Sequence, residues 1–454
     1  MSDLIAEKLA DYRENGVTRI KLGLTDIDGV IRGKYVSLGK FEGLLQKGGG
    51  FCDCILGWDL NDVLYDNAQF TGWHSGFPDA KIRLLIETER WSQEDNCPFF
   101  LGEFVSEEED TLHPICPRTR LKALLERARS VGLEYKMGFE YEFFVFSENS
   151  HSVREKNYRE LVPLTPGNFG YSVLRATSQS ELFGALMDYC LEMRFPLEAI
   201  HCETGPGVWE AALAPSLALE AADRANLFKT CSKAFFQKRD LIATFMAKWH
   251  MDYPGQSGHC HFSITDTKGE SVFARKEGVM TDQMSHAIGG LQKYLPDLIA
   301  LLAPTVNSYT RLVKGAWAPI ASTWGIENRT VAIRAIPGSI SAQRIECRVG
   351  GADANPYLTA AAIVGASMLG IEEKISPDAA IKGNAYDVQD SLPENLKFPS
   401  TLRDAAGRLS DSRAARDLLG DAFVEHFTAS RIWESREYER HVNSWQLERY
   451  FEII

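Results

Sequence analysis

In the run Gly138-Phe139-Glu140-Tyr141-Glu142-Phe143-Phe144-Val145, extended backbone puts Glu140 and Glu142 on one face and Phe139, Tyr141, Phe143 and Val145 on the other. Taken alone, that alternation also fits a half-solvated strand, but it recurs. In His259-Cys260-His261-Phe262-Ser263-Ile264 the polar residues share one parity, and in Arg344-Ile345-Glu346-Cys347-Arg348-Val349 they do so again. His201 and Glu203 form a fourth pair, just before the turn Gly205-Pro206-Gly207. Strands of this kind describe a sheet curved around a charged cavity. Carboxylates held that close need a cation, and glutamates with a histidine suit Mg²⁺ or Mn²⁺, whereas no cysteine set has the spacing of tetrahedral zinc. Arginines on the same faces grip anionic oxygens bidentately, so divalent ions with several arginines imply phosphoryl transfer.

The elements that must position these residues are legible in outline. Residues 18–36 read as an antiparallel hairpin around Asp26-Ile27-Asp28-Gly29, and short strands joined by irregular connections continue to about residue 105, giving a small α+β N-terminal domain. The prolines of Thr111-Leu112-His113-Pro114-Ile115-Cys116-Pro117 mark a break, so the domains are expected at 1–110 and 111–454. Beyond it, helices are expected at 120–131, 178–193, 217–238, 281–303, 355–372 and 414–447. Strands are expected at 133–146, 196–203, 259–266, 329–335 and 343–349. The segment Gly29 to Tyr35 imitates a phosphate-binding loop but is one residue short and lacks the Ser/Thr after Lys34, so it reads as part of the hairpin.

The chain has 454 residues, 44% hydrophobic and 24% charged, enough for a large core and a buried site. With 49 Lys+Arg against 62 Asp+Glu, its net charge of -13 repels phosphate backbones and anionic membranes, so neither nucleic acid nor membrane is an expected partner. Apolar runs such as Leu298 to Pro304 fall short of the roughly 20 residues of a bilayer crossing. The N-terminus reads as an amphipathic helix without a signal-peptide pattern, and nine cysteines without a CxxC pair read as reduced core residues; both point to a cytoplasmic protein.

Six segments in order resemble the glutamine synthetase family: Gly138 to Phe144, His201 to Glu210, Gly258 to Ser263, Asn307 to Val313, Asn328 to Arg334 and Arg344 to Tyr357. The resemblance spans almost the whole chain. It implies an α+β fold, with a β-grasp-like N-terminal domain and a catalytic domain whose curved antiparallel sheet is surrounded by helices. It also implies a homo-oligomer, expected as a dodecamer of two stacked hexameric rings, with each site formed between neighbouring subunits. The implied chemistry is ATP-dependent: glutamate's γ-carboxylate is phosphorylated and a nitrogen nucleophile displaces phosphate, with two or three divalent ions per site. Carried over by position, Glu142, Glu203 and Glu210 resemble ligands of one metal, and Glu140, His259 and Glu346 those of the other. Arg311 resembles the holder of the substrate's α-carboxylate, Arg348 the arginine facing its reacting carboxylate, and Arg329 the one that stabilises the transferring phosphoryl group. Arg334, Arg344, His261 and Ser263 sit where the family contacts nucleotide.

Two departures bear on the nucleophile. Ammonia-using members carry a glutamate in a PGYEAP flap after the Asn307 to Val313 motif, whereas this chain has Lys314-Gly315-Ala316-Trp317-Ala318-Pro319, with Trp317 in the glutamate's place. An indole is no base, though its face can hold a cation and its bulk can line an apolar pocket. Asp53, in Phe51-Cys52-Asp53-Cys54, lies one position from the aspartate that a neighbouring subunit lends to the ammonium site. The pattern resembles the γ-glutamylamide branch, whose members join glutamate to alkylamines, ethanolamine or polyamines; a small monoamine is preferred here, and glutamine synthetase proper is the alternative. Tyr386 falls near a tyrosine adenylylated in some bacterial members, but its surroundings differ and no such regulation is expected.

Overall fold

A nine-stranded sheet forms the body of the protein, with the apolar parity of its central strand turned to the core. The structure is a computed structural model that describes residues 2–106, 108 and 111–454. The strands run in the order Trp324–Ile326, Ile333–Ile336, Arg344–Cys347, Gly258–Asp266, Leu133–Phe146, Val208–Leu213 and Leu197–Cys202, with Ser216–Leu217 and Ile242–Thr244 also paired to Leu133–Phe146. All pairings are antiparallel except that of the first two strands. Along Leu133–Phe146, burial alternates from Leu133 to Phe143 as the sequence predicts, with Glu140 and Glu142 on the less buried parity. The apolar parity packs as a stack of rings: Tyr141 lies parallel to Phe139 at 6.0 Å and to Phe228 of helix Ala218–Gln237 at 6.2 Å.

Behind that layer lies helix Pro356–Glu372, whose residues from Pro356 to Gly370 are all buried, so it has no polar face. It crosses helix Asp282–Leu298 where Gly290 and Gly370 meet. A Cβ on Gly370 would stand 2.3 Å from the His286 carbonyl and 2.6 Å from the Gly290 Cα.

The first part of the chain forms a separate six-stranded sheet, ordered Ile31–Ser37, Arg19–Thr25, Cys97–Phe104, Asp79–Leu84 and Gly49–Cys52, with Arg90–Ser92 also on Cys97–Phe104. The expected hairpin is its edge. Asp26 closes the turn by accepting from the amides of Asp28 (3.0 Å) and Val30 (2.8 Å), and Gly29 takes φ +88°, which only glycine adopts freely. The parallel pairing of Arg19–Thr25 with Cys97–Phe104 has no local signature. The hairpin turn docks on the rest of the chain through Asp28, which accepts from buried Arg431 at 2.6 Å, and through Asn355, which donates to the Ile27 carbonyl at 3.2 Å. The expected boundary at residue 110 falls at Glu109 and Asp110, which lie outside the described residues.

Three elements differ from expectation. The helix expected at 414–447 is three helices, Arg413–Leu419, Asp421–Glu439 and Ser444–Tyr450. Gly420, at φ +83°, ends the first, and Asn443 starts the third with a capping box. The strand expected at 329–335 starts only at Ile333, because Asn328 turns the chain by accepting from the Thr330 amide at 2.9 Å. Strand Val208–Leu213 was not expected at all.

The Gly290–Gly370 crossing gives a test with opposite signs. Gly370→Ala overpacks the crossing and is expected to lower unfolding free energy by about 1–3 kcal/mol. Gly407→Ala, in helix Leu402–Asp411 with nothing within 4 Å of the added Cβ, is expected to raise it by roughly 0.5–1 kcal/mol. Denaturant unfolding of both variants checks this.

Candidate active site

Strand register brings the expected residues together. Arg334 lies opposite Glu346, and Glu346 opposite His261. Glu142 lies opposite Glu210, and Glu210 opposite His201. Glu140 pairs with His259 between these two rows. The concave face they form lines a cavity of about 630 Å³, which also takes in Glu203, Arg329, Arg344, Arg348 and Trp317. A second cavity, of about 330 Å³, shares Glu140, His261 and Arg344 with the first and adds Ser263. Two of the expected residues lie off these walls. Arg311 is buried behind Gly255, donating to the Val349 carbonyl at 2.9 Å and to Ser257 Oγ at 3.0 Å. Asp53 is buried in its own sheet, in the short helix Asp53–Leu56, with Oδ1 unbonded.

The charges divide into two clusters. In the first, Glu346 accepts from Arg334 at 3.0 Å and from Arg348, and its carboxylate lies 3.6 Å from His259 Nδ1. Glu140 lies 3.6 Å from the same Nδ1 and 3.3 Å from His261 Nε2. Burial by itself would raise the Glu140 carboxyl, but the His259 and His261 imidazoles facing it outweigh this and hold the group well below the usual range. Burial likewise opposes ionisation of Glu346, and His259, Arg348 and His261 reverse it, holding the carboxyl at about 2. Both acids therefore stay ionised at neutral pH.

The second cluster holds His201, Glu203 and Glu210, with ligand atoms within 4.8 Å of one another. Burial, followed by the fields of Glu142, Glu140 and Glu203, pushes the Glu210 carboxyl up to about 9. Glu142 is engaged differently, accepting from the Ser257 amide at 2.7 Å.

These groups fit divalent ions. His201, His259 and His261 each leave Nε2 buried and without a hydrogen bond, beside several carboxylates, and this oxygen-rich set with imidazole suits Mg²⁺ or Mn²⁺. Ligand atoms of His261 also fall within 4.8 Å of those of Glu140 and Glu346. His261 Nδ1, however, accepts from Arg344 Nε at 3.2 Å, so its ring proton sits on Nε2, the nitrogen facing Glu140. That tautomer suits a hydrogen bond to the carboxylate and leaves His259 as the better ligand.

Reading by parity found Glu140, Glu142, His259, His261, Arg344, Glu346 and Arg348. It missed the strand beneath Glu210 and the cavity wall at Tyr171, whose ring stacks on His201 at 4.4 Å. The alternation of Val208-Trp209-Glu210-Ala211 could have revealed the strand; Tyr171 sits in a loop with no periodic signal.

Because its folded-state value lies above the ordinary 4.5, Glu210 disfavours the metal-free fold progressively as pH rises from there towards about 9. Glu210→Gln is therefore expected to melt higher than the parent protein at pH 8 without metal, with the gain vanishing near pH 4.5. The same variant should bind Mn²⁺ at least about tenfold more weakly. Thermal melts with and without Mn²⁺ across pH check both.

Comparison with known proteins agrees with this geometry. The family profile described as glutamine synthetase, catalytic domain, matches residues 114–450. Type-1 glutamine synthetase 2 of Dictyostelium discoideum is 43% identical over 443 residues, covering 96% of this chain and 84% of that protein. The glutamate–isopropylamine ligase of a Pseudomonas species is 35% identical over 455 residues, covering 98% of each. The solved structure of apo GmaS without ligand superimposes with a TM-score of 0.83 at 25% identity, covering 98% of this chain and 99% of that one. With the paired acid and imidazole clusters on a curved sheet, these matches show that the chain belongs to the glutamine synthetase family of carboxylate–amine ligases.

Proposed function

We propose that this chain joins the γ-carboxylate of L-glutamate to a primary amine, driven by ATP through γ-glutamyl phosphate, and releases a γ-glutamylamide, ADP and phosphate. The observation that carries this reading is Trp317. It lines the charged cavity, 63% exposed and in the left-handed region at φ +57°, at the position where ammonia-using relatives resembling this chain keep a flap glutamate. A carboxylate there would draw in NH₄⁺ and accept its proton. An indole does neither, but its face holds an alkylammonium and its edge packs against a hydrocarbon chain. The glutamate–isopropylamine ligase likeness supports the same reading.

In this reading Glu142, Glu203 and Glu210 hold one Mg²⁺ or Mn²⁺ and Glu140, His259 and Glu346 another. Such ions, when bound, neutralise the nucleotide phosphates and the transferring phosphoryl group. Arg334, Arg344, His261 and Ser263 orient the nucleotide across the junction of the two cavities. Arg348, beside Glu346, faces the reacting carboxylate, and Arg329, on the cavity's exposed rim, meets the charge that develops during transfer. Arg311, held behind Gly255, fixes the wall against which the α-carboxylate lies.

Asp53 lies off the cavity of its own chain, so its contact with an amine requires a neighbouring copy. We propose that such a copy comes from a ring-forming homo-oligomer, the dodecamer, with units 1–110 and 111–454 meeting across subunits. Among the described residues no helix is long and apolar enough to cross a membrane, and we place the enzyme in the cytoplasm.

A second reading, glutamine synthesis from ammonia, is favoured by the 43% identity to the Dictyostelium discoideum protein of that name. ADP release measured with glutamate and a panel of isopropylamine, ethanolamine, putrescine and ammonium separates the two. At least one amine is expected to exceed ammonium in kcat/KM by about tenfold or more; equal or faster turnover with ammonium supports glutamine synthesis instead. Trp317→Glu is expected to shift the ratio of amine to ammonium turnover towards ammonium by about tenfold.

A further inference from the structure

On the helix-covered side of the main sheet, away from the charged face, a cavity of about 530 Å³ opens between helix Pro117–Ser130, the start of helix Ala218–Gln237 and the turn Ile86–Thr88. Arg90 lines it and is only 5% exposed. Its guanidinium donates to the Thr88 carbonyl, its Nε is buried without a partner, and among the described residues no carboxylate oxygen lies within 4.0 Å of it. Two acids of the lining, Glu87 and Glu126, are exposed to solvent, and the other three are already committed. Asp223 takes both Arg118 Nε at 2.9 Å and Nη2 at 3.0 Å, and accepts from Tyr357 at 2.6 Å; Glu134 pairs with Arg129 at 2.8 Å and Glu220 with Arg224 at 2.6 Å. Beside this uncompensated cation stand Leu125, Leu133, Leu217 and Leu219. A buried charge without a counter-ion is strongly destabilising, and a pocket of this volume is of the size that takes small organic ligands.

We propose that this cavity is a second ligand site, separate from the active site, that binds a small amphiphilic monocarboxylate. The carboxylate takes the donors that Thr88 leaves free on Arg90, and the apolar body packs on the leucine wall. A single unpaired cation at the floor matches a monoanion, and the leucines discriminate against small inorganic anions, which offer nothing to bury. Leu133 and Tyr135, which line the cavity, lie on the strand that carries Glu140 and Glu142, so the ligand would rest against the same element that positions the metal cluster.

Isothermal titration of the protein as it purifies tests this, with glutamate and Mg²⁺ saturating so that the active site is occupied. The probes are octanoate and 4-phenylbutyrate, each compared with its neutral alcohol. The expected result is saturable binding of one carboxylate per chain, with the alcohols at least about tenfold weaker. Arg90→Gln is expected to weaken carboxylate binding by at least about tenfold while leaving ligase turnover unchanged. Leu219→Glu, which leaves Arg90 in place, should weaken it similarly and provides the test if Arg90→Gln does not fold. Absence of saturable heat from both carboxylates at millimolar concentration overturns the proposal, as does unchanged affinity in both variants.

Discussion

Mutual repulsion among Glu140, Glu142, Glu203, Glu210 and Glu346 is the constraint around which this protein is built. Strand register, not chance proximity, sets the acids on one concave face: Glu142 is locked opposite Glu210 and Glu346 opposite His261. Left to themselves they cannot all ionise. One cluster resolves the conflict within the protein, since imidazoles facing Glu140, and imidazoles with Arg348 beside Glu346, keep both carboxyls ionised. Among the described residues no arginine lies within 4.0 Å of the other cluster's acids, the more distant Arg348 does not offset their repulsion, and Glu210 holds its proton. The two environments push carboxyls of one type in opposite directions, and a bound divalent ion would let the second cluster ionise as the first does.

Such a site needs rigid support, because the sheet would relieve the repulsion by splaying. The ring stack of Phe139, Tyr141 and Phe228 braces the central strand from behind. The glycine crossing of helices Asp282–Leu298 and Pro356–Glu372 holds the layer behind it at close range. In the proposed reading, specificity for the amine sits by contrast on connecting loops. Trp317 and Tyr171 both occupy left-handed backbone on loops at the cavity's edge, where side chains can vary without disturbing the acids. In that reading one scaffold keeps its charged face while the loops that meet the nucleophile change.

Much of the site was legible in the chain because period-two alternation reports directly on which face a strand residue takes. Glu140, His259, His261 and Glu346 were recognisable for that reason, as were the alternate burial of Leu133–Phe146 and the hairpin at Asp26 to Gly29. What escaped was non-local or irregular. The parallel pairing of Arg19–Thr25 with Cys97–Phe104 depends on a distant partner. The break at Gly420 lies within an otherwise helical pattern. Strand Val208–Leu213 follows a Gly-Pro-Gly turn so closely that the turn signal masks its alternation. The tautomer of His261 depends on Arg344, 83 residues away, and no local spacing encodes it.

The central claim is that these acids are ligands of two divalent ions. Anomalous diffraction from crystals soaked in manganese measures it most directly. The account predicts two peaks per chain, one against Glu140, His259 and Glu346 and the other against Glu142, Glu203 and Glu210. Crystals with the nucleotide also bound that show no manganese at either cluster would contradict it.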